Sequence, residues 1–291
     1  MHVIGIDLGG TKIEGVLLNS KGKILKKKRV PTQANKSRSI VVNDLIEVVK
    51  YLSLRDVYGV GIGTPGFSVN GKLSLIKNVP SLNGFNLKKE LIRRIGLRNI
   101  EVENDANCFT LAEYKFGAGK GTKNMVGIIM GTGIGSGLII DGKLHTGRSG
   151  GAGEIGHMVL HPHGRKCSCG GRGHFEAYAS GPALVKHYKF LKGRIKNPNP
   201  KSIFLSKEKI AKRVVDEYIN MVGIGFANII SIFNPDRIVL GGGVSNLGFY
   251  RRIIKSVKSY SNPDISHHID IVRYKLGDSS GVIGAASLVM K

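Results

Sequence analysis

Two aspartates stand at positions where a carboxylate has to be accounted for. Asp7 interrupts an apolar run, Val3-Ile4-Gly5-Ile6, directly before Leu8-Gly9-Gly10-Thr11-Lys12. A carboxylate in a buried strand is costly unless it is paired or bound to a cation. The position suits Mg²⁺, held through water beside nucleotide phosphates; the alternative is a carboxylate satisfied by turn amides. Asp105 lies between Asn104 and Ala106, after a short strand and at a helix start. There a carboxylate is either a helix N-cap or a group that accepts a proton. Two glycine-rich turns, Gly9-Gly10-Thr11-Lys12 and Gly131-Thr132-Gly133, would each present backbone N–H groups and a hydroxyl, fixed donors of the kind that cradle phosphate. Neither has the spacing of a P-loop. Gly241-Gly242-Gly243 closes a buried strand, as a bare surface for a flat ligand or as a plain tight turn.

The chain carries three cysteines, too few for a disulfide framework. Cys167 and Cys169 bracket one residue and are followed by Gly170-Gly171, which suits a metal site. Cys108 falls on a helix and reads as core.

The elements that must position these groups follow from an internal repeat. Residues 4–18 and 126–140 both read as apolar strand, glycine-rich turn, apolar strand. At an offset of 122 residues Gly5 meets Gly127, Gly9 meets Gly131, Gly15 meets Gly137, and Asp7 meets Ile129. The pattern predicts two hairpins, each followed by a third strand and then helical stretches, and a duplicated domain, its halves facing each other. Helices are expected over residues 40–50, 87–95, 106–116, 214–233 and 281–290, the last packing back on the first half. Strands are expected over 57–62, 100–102 and 238–240. Residues 191–209 are rich in Lys, Pro and Asn and read as a surface excursion. Alternation of strands and helices makes the fold α/β.

The length, 291 residues, suits two domains, and an apolar fraction of 41 % supplies a sizeable core. No apolar run is long enough for a transmembrane helix, and no basic-then-apolar leader precedes the first strand. A cytoplasmic protein without a membrane partner is expected. The net charge of +24 attracts anions, nucleotide phosphates and nucleic acid included. The lysines are scattered, with one dense run at Lys26-Lys27-Lys28-Arg29, and no aromatics interleave them. A solvated basic surface is the expectation, with no specific nucleic-acid partner.

Taken together, the motifs resemble the ROK family of sugar kinases, within the actin and hexokinase superfamily. The resemblance rests on Asp7-Leu8-Gly9-Gly10-Thr11, Gly63-Thr64-Pro65-Gly66, Glu103-Asn104-Asp105-Ala106-Asn107 and Gly131-Thr132-Gly133. It rests also on Gly153-Glu154-Ile155-Gly156-His157, Cys167-x-Cys169-Gly170 and Gly241-Gly242-Gly243. It implies two ribonuclease H-like domains with the active site in the cleft between them: residues 1–118 plus 278–291, and residues 119–277. It implies transfer of a phosphoryl group from Mg·ATP to a hexose, glucose at O6 first, with fructose, mannose, N-acetylglucosamine and N-acetylmannosamine as alternatives.

By the same resemblance Asp105 is the general base, and Gly66, Asn83, Asn104, Glu154, His157 and Glu176 surround the sugar. Asp7, Gly9, Gly10, Thr11, Lys12, Gly131, Thr132, Gly133 and Gly241 to Gly243 surround the nucleotide. The family places a third cysteine where this chain has His174. With His157, Cys167 and Cys169 the set still suits tetrahedral Zn²⁺, and His161 and His163 are spare candidates. Relatives are often dimers or tetramers. Some are sugar-sensing repressors with a helix-turn-helix ahead of the first strand; here that strand starts at residue 3, so a regulator is not expected. A sugar-binding protein without catalysis would not need both Asp7 and Asp105.

Overall fold

A computed structural model describes residues 1–54 and 56–290. The chain forms β1 (His2–Leu8), β2 (Lys12–Asn19), β3 (Ile24–Pro31), α1 (Arg38–Leu52), β4 (Val57–Thr64), β5 (Phe67–Val69), β6 (Lys72–Ser74), α2 (Leu87–Ile95), β7 (Ile100–Asn104) and α3 (Asp105–Phe116). It continues through β8 (Met125–Met130), β9 (Ile134–Ile140), β10 (Lys143–His145), α4 (Glu176–Ala179), α5 (Gly181–Phe190), α6 (Pro200–Leu205) and α7 (Lys209–Phe233). It ends with β11 (Arg237–Gly241), α8 (Tyr250–Tyr260), α9 (Pro263–Ser266), β12 (Asp270–Arg273) and α10 (Ser280–Ser287).

Two five-stranded sheets carry the architecture, in the orders β3-β2-β1-β4-β7 and β10-β9-β8-β11-β12. In each, a three-stranded antiparallel meander is extended by two parallel strands. The sequence repeat is therefore a repeat of topology. It is inexact at one point. Leu8 pairs with Ile13 across a four-residue turn, whereas Met130 pairs with Ile134 across a three-residue turn. The shorter turn moves the second strand by one position, so Gly15, paired with Ile6, corresponds to Ser136, paired with Ile128, and not to Gly137.

The first sheet is covered on both faces, which is why β1 is buried without a break from Val3 to Ile6 instead of alternating. Ile4, Ile6 and Leu8 pack with Leu45, Val48 and Leu52 of α1. On the other face Val3 packs with Val282, Ile283 and Ala286 of α10. Glycines let α10 sit directly on the strands. A Cβ on Gly5 would stand 2.0 Å from the Val282 carbonyl oxygen, and one on Gly61 1.7 Å from that of Ala285. In the second sheet Val126, Ile128 and Met130 share a core with Val214, Val222, Phe226 and Ile230 of α7.

Helix α3 touches both sheets. A Cβ on Gly63 would meet the Cys108 sulfur at 3.2 Å, and one on Gly127 would meet Thr110 Oγ1 at 2.3 Å. Cys108 is fully buried, as expected of core, and burial pushes its thiol pKa well up. The basic run lies on the edge strand β3, partly exposed and with partners on neighbouring elements. Lys26 and Lys28 stack over the Tyr51 ring, while Lys27 and Arg29 reach Glu14 on β2. Among the described residues no helix is long and apolar enough to cross a membrane.

Candidate active site

Asp105 opens α3 at the end of β7, but the cap of that helix is its neighbour. Asn104 Oδ1 accepts the N–H groups of Ala106 at 2.8 Å and Asn107 at 3.2 Å. Its Nδ2 donates to the Gly66 carbonyl at 2.9 Å, tying the cap to the turn after β4, where Gly66 has φ +81°. Such a cap is worth about 1 kcal/mol. With capping done by Asn104, the Asp105 side chain keeps accessible surface within a cleft crowded by protein, its Oδ1 accepting the Ala106 N–H at 2.8 Å. Desolvation by the surrounding cleft raises its pKa, and the charge of Glu154 adds to the rise.

The carboxylates named from sequence come together. Burial, then the Asp105 charge, lifts Asp7 to about 6, with Lys12 opposing. Glu154 is raised by burial and further by Glu176. Asp7, Asp105, Glu154 and Glu176 thus form a chain of interacting acids drawn from β1, α3, the 153–157 turn and α4. Glu176 is held firmly: Oε2 accepts the Ile134 N–H at 2.9 Å and Oε1 the Ser168 hydroxyl at 2.8 Å.

One cavity lies at the Asp7 and Asp105 end of this chain, and a second adjoins it. One, lined by Asp7, Asp105, Ile129, Gly242, Gly243, Asn246, Asp278 and Gly281, holds ≈ 320 Å³. Asp7 and its repeat partner Ile129 thus line one space. The other holds ≈ 950 Å³ and includes Gly131, Thr132, Gly181, Lys186, Lys189, Lys201, Gly243 and Asn246. Gly243 and Asn246 belong to both. The larger is roomy enough for a nucleotide-sized ligand. Its wall contains Pro198, Asn199, Pro200 and Lys201, from the segment expected to be a surface excursion. Sequence reasoning also passed over Gly181, Lys186 and Asn246, because nothing in their spacing marks them.

The glycine turns keep donors available. Among the described residues the N–H groups of Gly10, Thr11, Thr132 and Gly133 have no partner, while Gly9 and Gly131 close the turns through Lys12 and Gly133. Three expected contacts differ in detail. Lys12 Nζ is paired with Glu14 at 3.0 Å, although it still lowers the Asp7 pKa. Gly241 lines neither cavity; its missing side chain makes room for the Phe109 ring, which a Cβ would meet at 2.6 Å. Asn83 turns to its own loop, accepting the Ile76 N–H at 2.9 Å and donating to the Ile76 carbonyl at 3.3 Å.

His157, Cys167, Cys169 and His174 converge, their ligand atoms all within 4.8 Å of one another. Cys169 Sγ is 3.2 Å from His174 Nδ1, and Cys167 Sγ is 3.8 Å from His157 Nδ1. The other nitrogen of His157 faces Glu154 Oε2 at 3.6 Å, across a single 3₁₀ turn. Two thiols and two imidazoles at this spacing fit a tetrahedral metal. His161 stands apart, its ring against Tyr178.

The ROK family model matches residues 3–291. A glucokinase of Thermotoga maritima is 34 % identical, covering 99 % of this chain and 97 % of its own. An N-acetyl-D-glucosamine kinase of Aliivibrio salmonicida is 36 % identical, with 99 % of each chain covered. The crystal structure of a ROK glucokinase from Streptomyces griseus, in complex with glucose and AMPPNP, matches with a TM-score of 0.78, 33 % identity and 99 % of both chains covered. The chain belongs to the ROK family, and its α/β fold is that of the actin and hexokinase type.

Proposed function

We propose that this protein phosphorylates a hexose with Mg·ATP, glucose at O6 being the first substrate. The observation that carries the reading is the meeting of Asp105 and Asp7 in one cavity that shares Gly243 and Asn246 with a nucleotide-sized one. Kinship with the Thermotoga maritima glucokinase supports glucose, and kinship with the Aliivibrio salmonicida enzyme supports N-acetylglucosamine as the second choice.

In this reading Asp105 accepts the proton of the attacking hydroxyl, and Asn104, fixed by its cap bonds and Gly66, orients neighbouring hydroxyls. Glu154, His157 and Glu176 line the sugar side. The free N–H groups of the two glycine turns hold phosphate oxygens, and the larger cavity takes the nucleoside. Asp7 would hold Mg²⁺, which neutralises phosphate charge in such transfers. His157, Cys167, Cys169 and His174 would hold Zn²⁺, fixing the loop that carries His157 and Glu176; zinc supports the pocket and does not touch phosphate. Residues 1–118 with 278–291 form one domain and 119–277 the other, and their closure excludes water from the transferring group. A cytoplasmic site of action agrees with the use of ATP.

The test is ADP release by zinc-loaded protein with Mg·ATP against a panel of glucose, N-acetylglucosamine, N-acetylmannosamine, mannose and fructose. Turnover greatest with glucose, giving the 6-phosphate, supports the reading. No turnover with any of them contradicts it.

A further inference from the structure

Among the described residues, the two sheets are joined by two connections. Helix α3 leads through residues 117–124 into β8, and β12 leads through residues 274–279 into α10. Glu113, near the end of α3, is fully buried, and its carboxyl group holds both connections at once. Oε2 accepts the N–H of Ala118 at 2.8 Å and the N–H of Lys275 at 2.9 Å. Oε1 accepts the N–H of Leu276 at 2.9 Å and the Ser280 hydroxyl at 3.1 Å. The Glu113 carbonyl accepts the N–H groups of Gly117 at 3.0 Å and Gly119 at 2.9 Å.

Three of the four donors to the carboxyl are backbone groups, so Glu113 fixes the path of the chain whatever side chains occupy positions 118, 275 and 276. Burying an unsatisfied carboxyl is expensive; four donors on two oxygens offset that cost at one geometry only. Gly117 leaves the room, since a Cβ there would lie 2.0 Å from Glu113 Oε2. From the second sheet, the Arg237 guanidinium donates to the Ala118 carbonyl at 2.5 Å, so one residue of the first connection is gripped from both sides. The second connection leads straight into the reaction cavity: Gly277, Asp278, Ser280 and Gly281 line it beside Asp7 and Asp105.

We propose that Glu113 is a positioning residue for phosphoryl transfer. It clamps the two connections so that the halves close in one orientation, with the nucleotide side brought against Asp105. It lines neither cavity and acts through the chain segments that it holds. The proposal rests on the reading of two halves closing over a cleft.

The experiment compares wild type, Glu113→Gln and Glu113→Asp. Three quantities are measured: kcat and KM with glucose, ATP hydrolysis without sugar, and the radius of gyration by small-angle scattering with and without glucose. The Gln substitution keeps the volume but turns one acceptor into a donor that faces an N–H. Its kcat is expected to fall on the order of 10- to 100-fold, as a misplacement of about 1 Å would produce. The share of phosphoryl groups lost to water should rise, and glucose should no longer compact the protein. The Asp variant keeps a carboxylate and should recover part of kcat and coupling. A merely structural role would lower transfer and hydrolysis in proportion and leave their ratio unchanged. A folded Gln variant with unchanged kcat, or with the two rates falling in parallel, overturns the proposal; should the Gln variant fail to fold, the Asp variant decides by the same ratio. A wild type that does not compact with glucose overturns the closure reading itself, and the proposal with it.

Discussion

Asp7 on β1 and Asp105 at the start of α3 face the same cavity, and the Asp105 charge adds to burial in lifting the Asp7 pKa to about 6. The two acids differ in setting. Asp7 is half-buried beneath the start of α10, where a Cβ on Gly281 would stand 3.4 Å from its Oδ2, whereas Asp105 keeps more accessible surface within the cleft. A magnesium ion held at Asp7 would offset this repulsion and supply the charge neutralisation that phosphoryl transfer needs, leaving Asp105 to accept the proton.

The raised Asp7 pKa has two measurable consequences. Its folded value lies above the ordinary 3.8, so stability associated with the protonated form is fully present below 3.8 and is lost as pH rises through about 6. Asp7→Asn should therefore raise stability at pH 7.5, by on the order of 1 kcal/mol, in urea or thermal melts, while abolishing magnesium-dependent turnover. In the wild type, kcat/KM should fall on the acid side with a midpoint near 6. A flat profile down to pH 5 contradicts the assignment.

Glu14 shows the opposite shift. Burial would raise its pKa, but bonds from Lys27, Lys12 and Arg29 outweigh this and bring it to about 2. The stability gained is present above the ordinary 4.5 and is lost as pH falls from there through about 2. Glu14→Gln should destabilise by about 2 kcal/mol at pH 7 and should flatten the acid limb of the melting curve. An equal acid limb in variant and wild type contradicts this.

The metal cluster predicts that the zinc-loaded protein carries one zinc per chain. Its removal by a chelator should raise the hexose KM about tenfold, because His157 and Glu176 lose the loop that places them, and should change the ATP KM little. His174→Cys should hold zinc more tightly against the same chelator. A metal-free protein with unchanged hexose KM contradicts the supporting role.

Much of the fold was legible because the repeat is written in glycine and apolar spacing. The expected helix over 87–95 is α2, and the expected C-terminal helix does pack on the first half, through Gly5 and Gly61. The third strand expected after each hairpin is present, as β3 in the first half and β10 in the second; the bounds of β3 were not legible, since its alternate exposure falls on lysines whose partners, Glu14 and Tyr51, are distant in sequence. The edge strands β10 and β12 are too short to leave a period. Of the site, the acids and the four side chains of the Cys/His cluster were legible as motifs. The wall of the larger cavity was not, because Lys186, Pro198 and Lys201 look like any surface segment until α5 and α6 fold against the Gly243 turn. Glu113 was equally silent: three of its four partners are backbone groups, which no side-chain pattern records.

The most direct measurement is glucose-dependent ADP release by wild type and Asp105→Ala, with glucose binding measured on both by calorimetry. A loss of about 10²–10⁴-fold in kcat, with glucose still bound by a variant that melts like the wild type, is the predicted result. Turnover by Asp105→Ala within a few-fold of wild type would contradict the assignment of the base, and with it the account of the site.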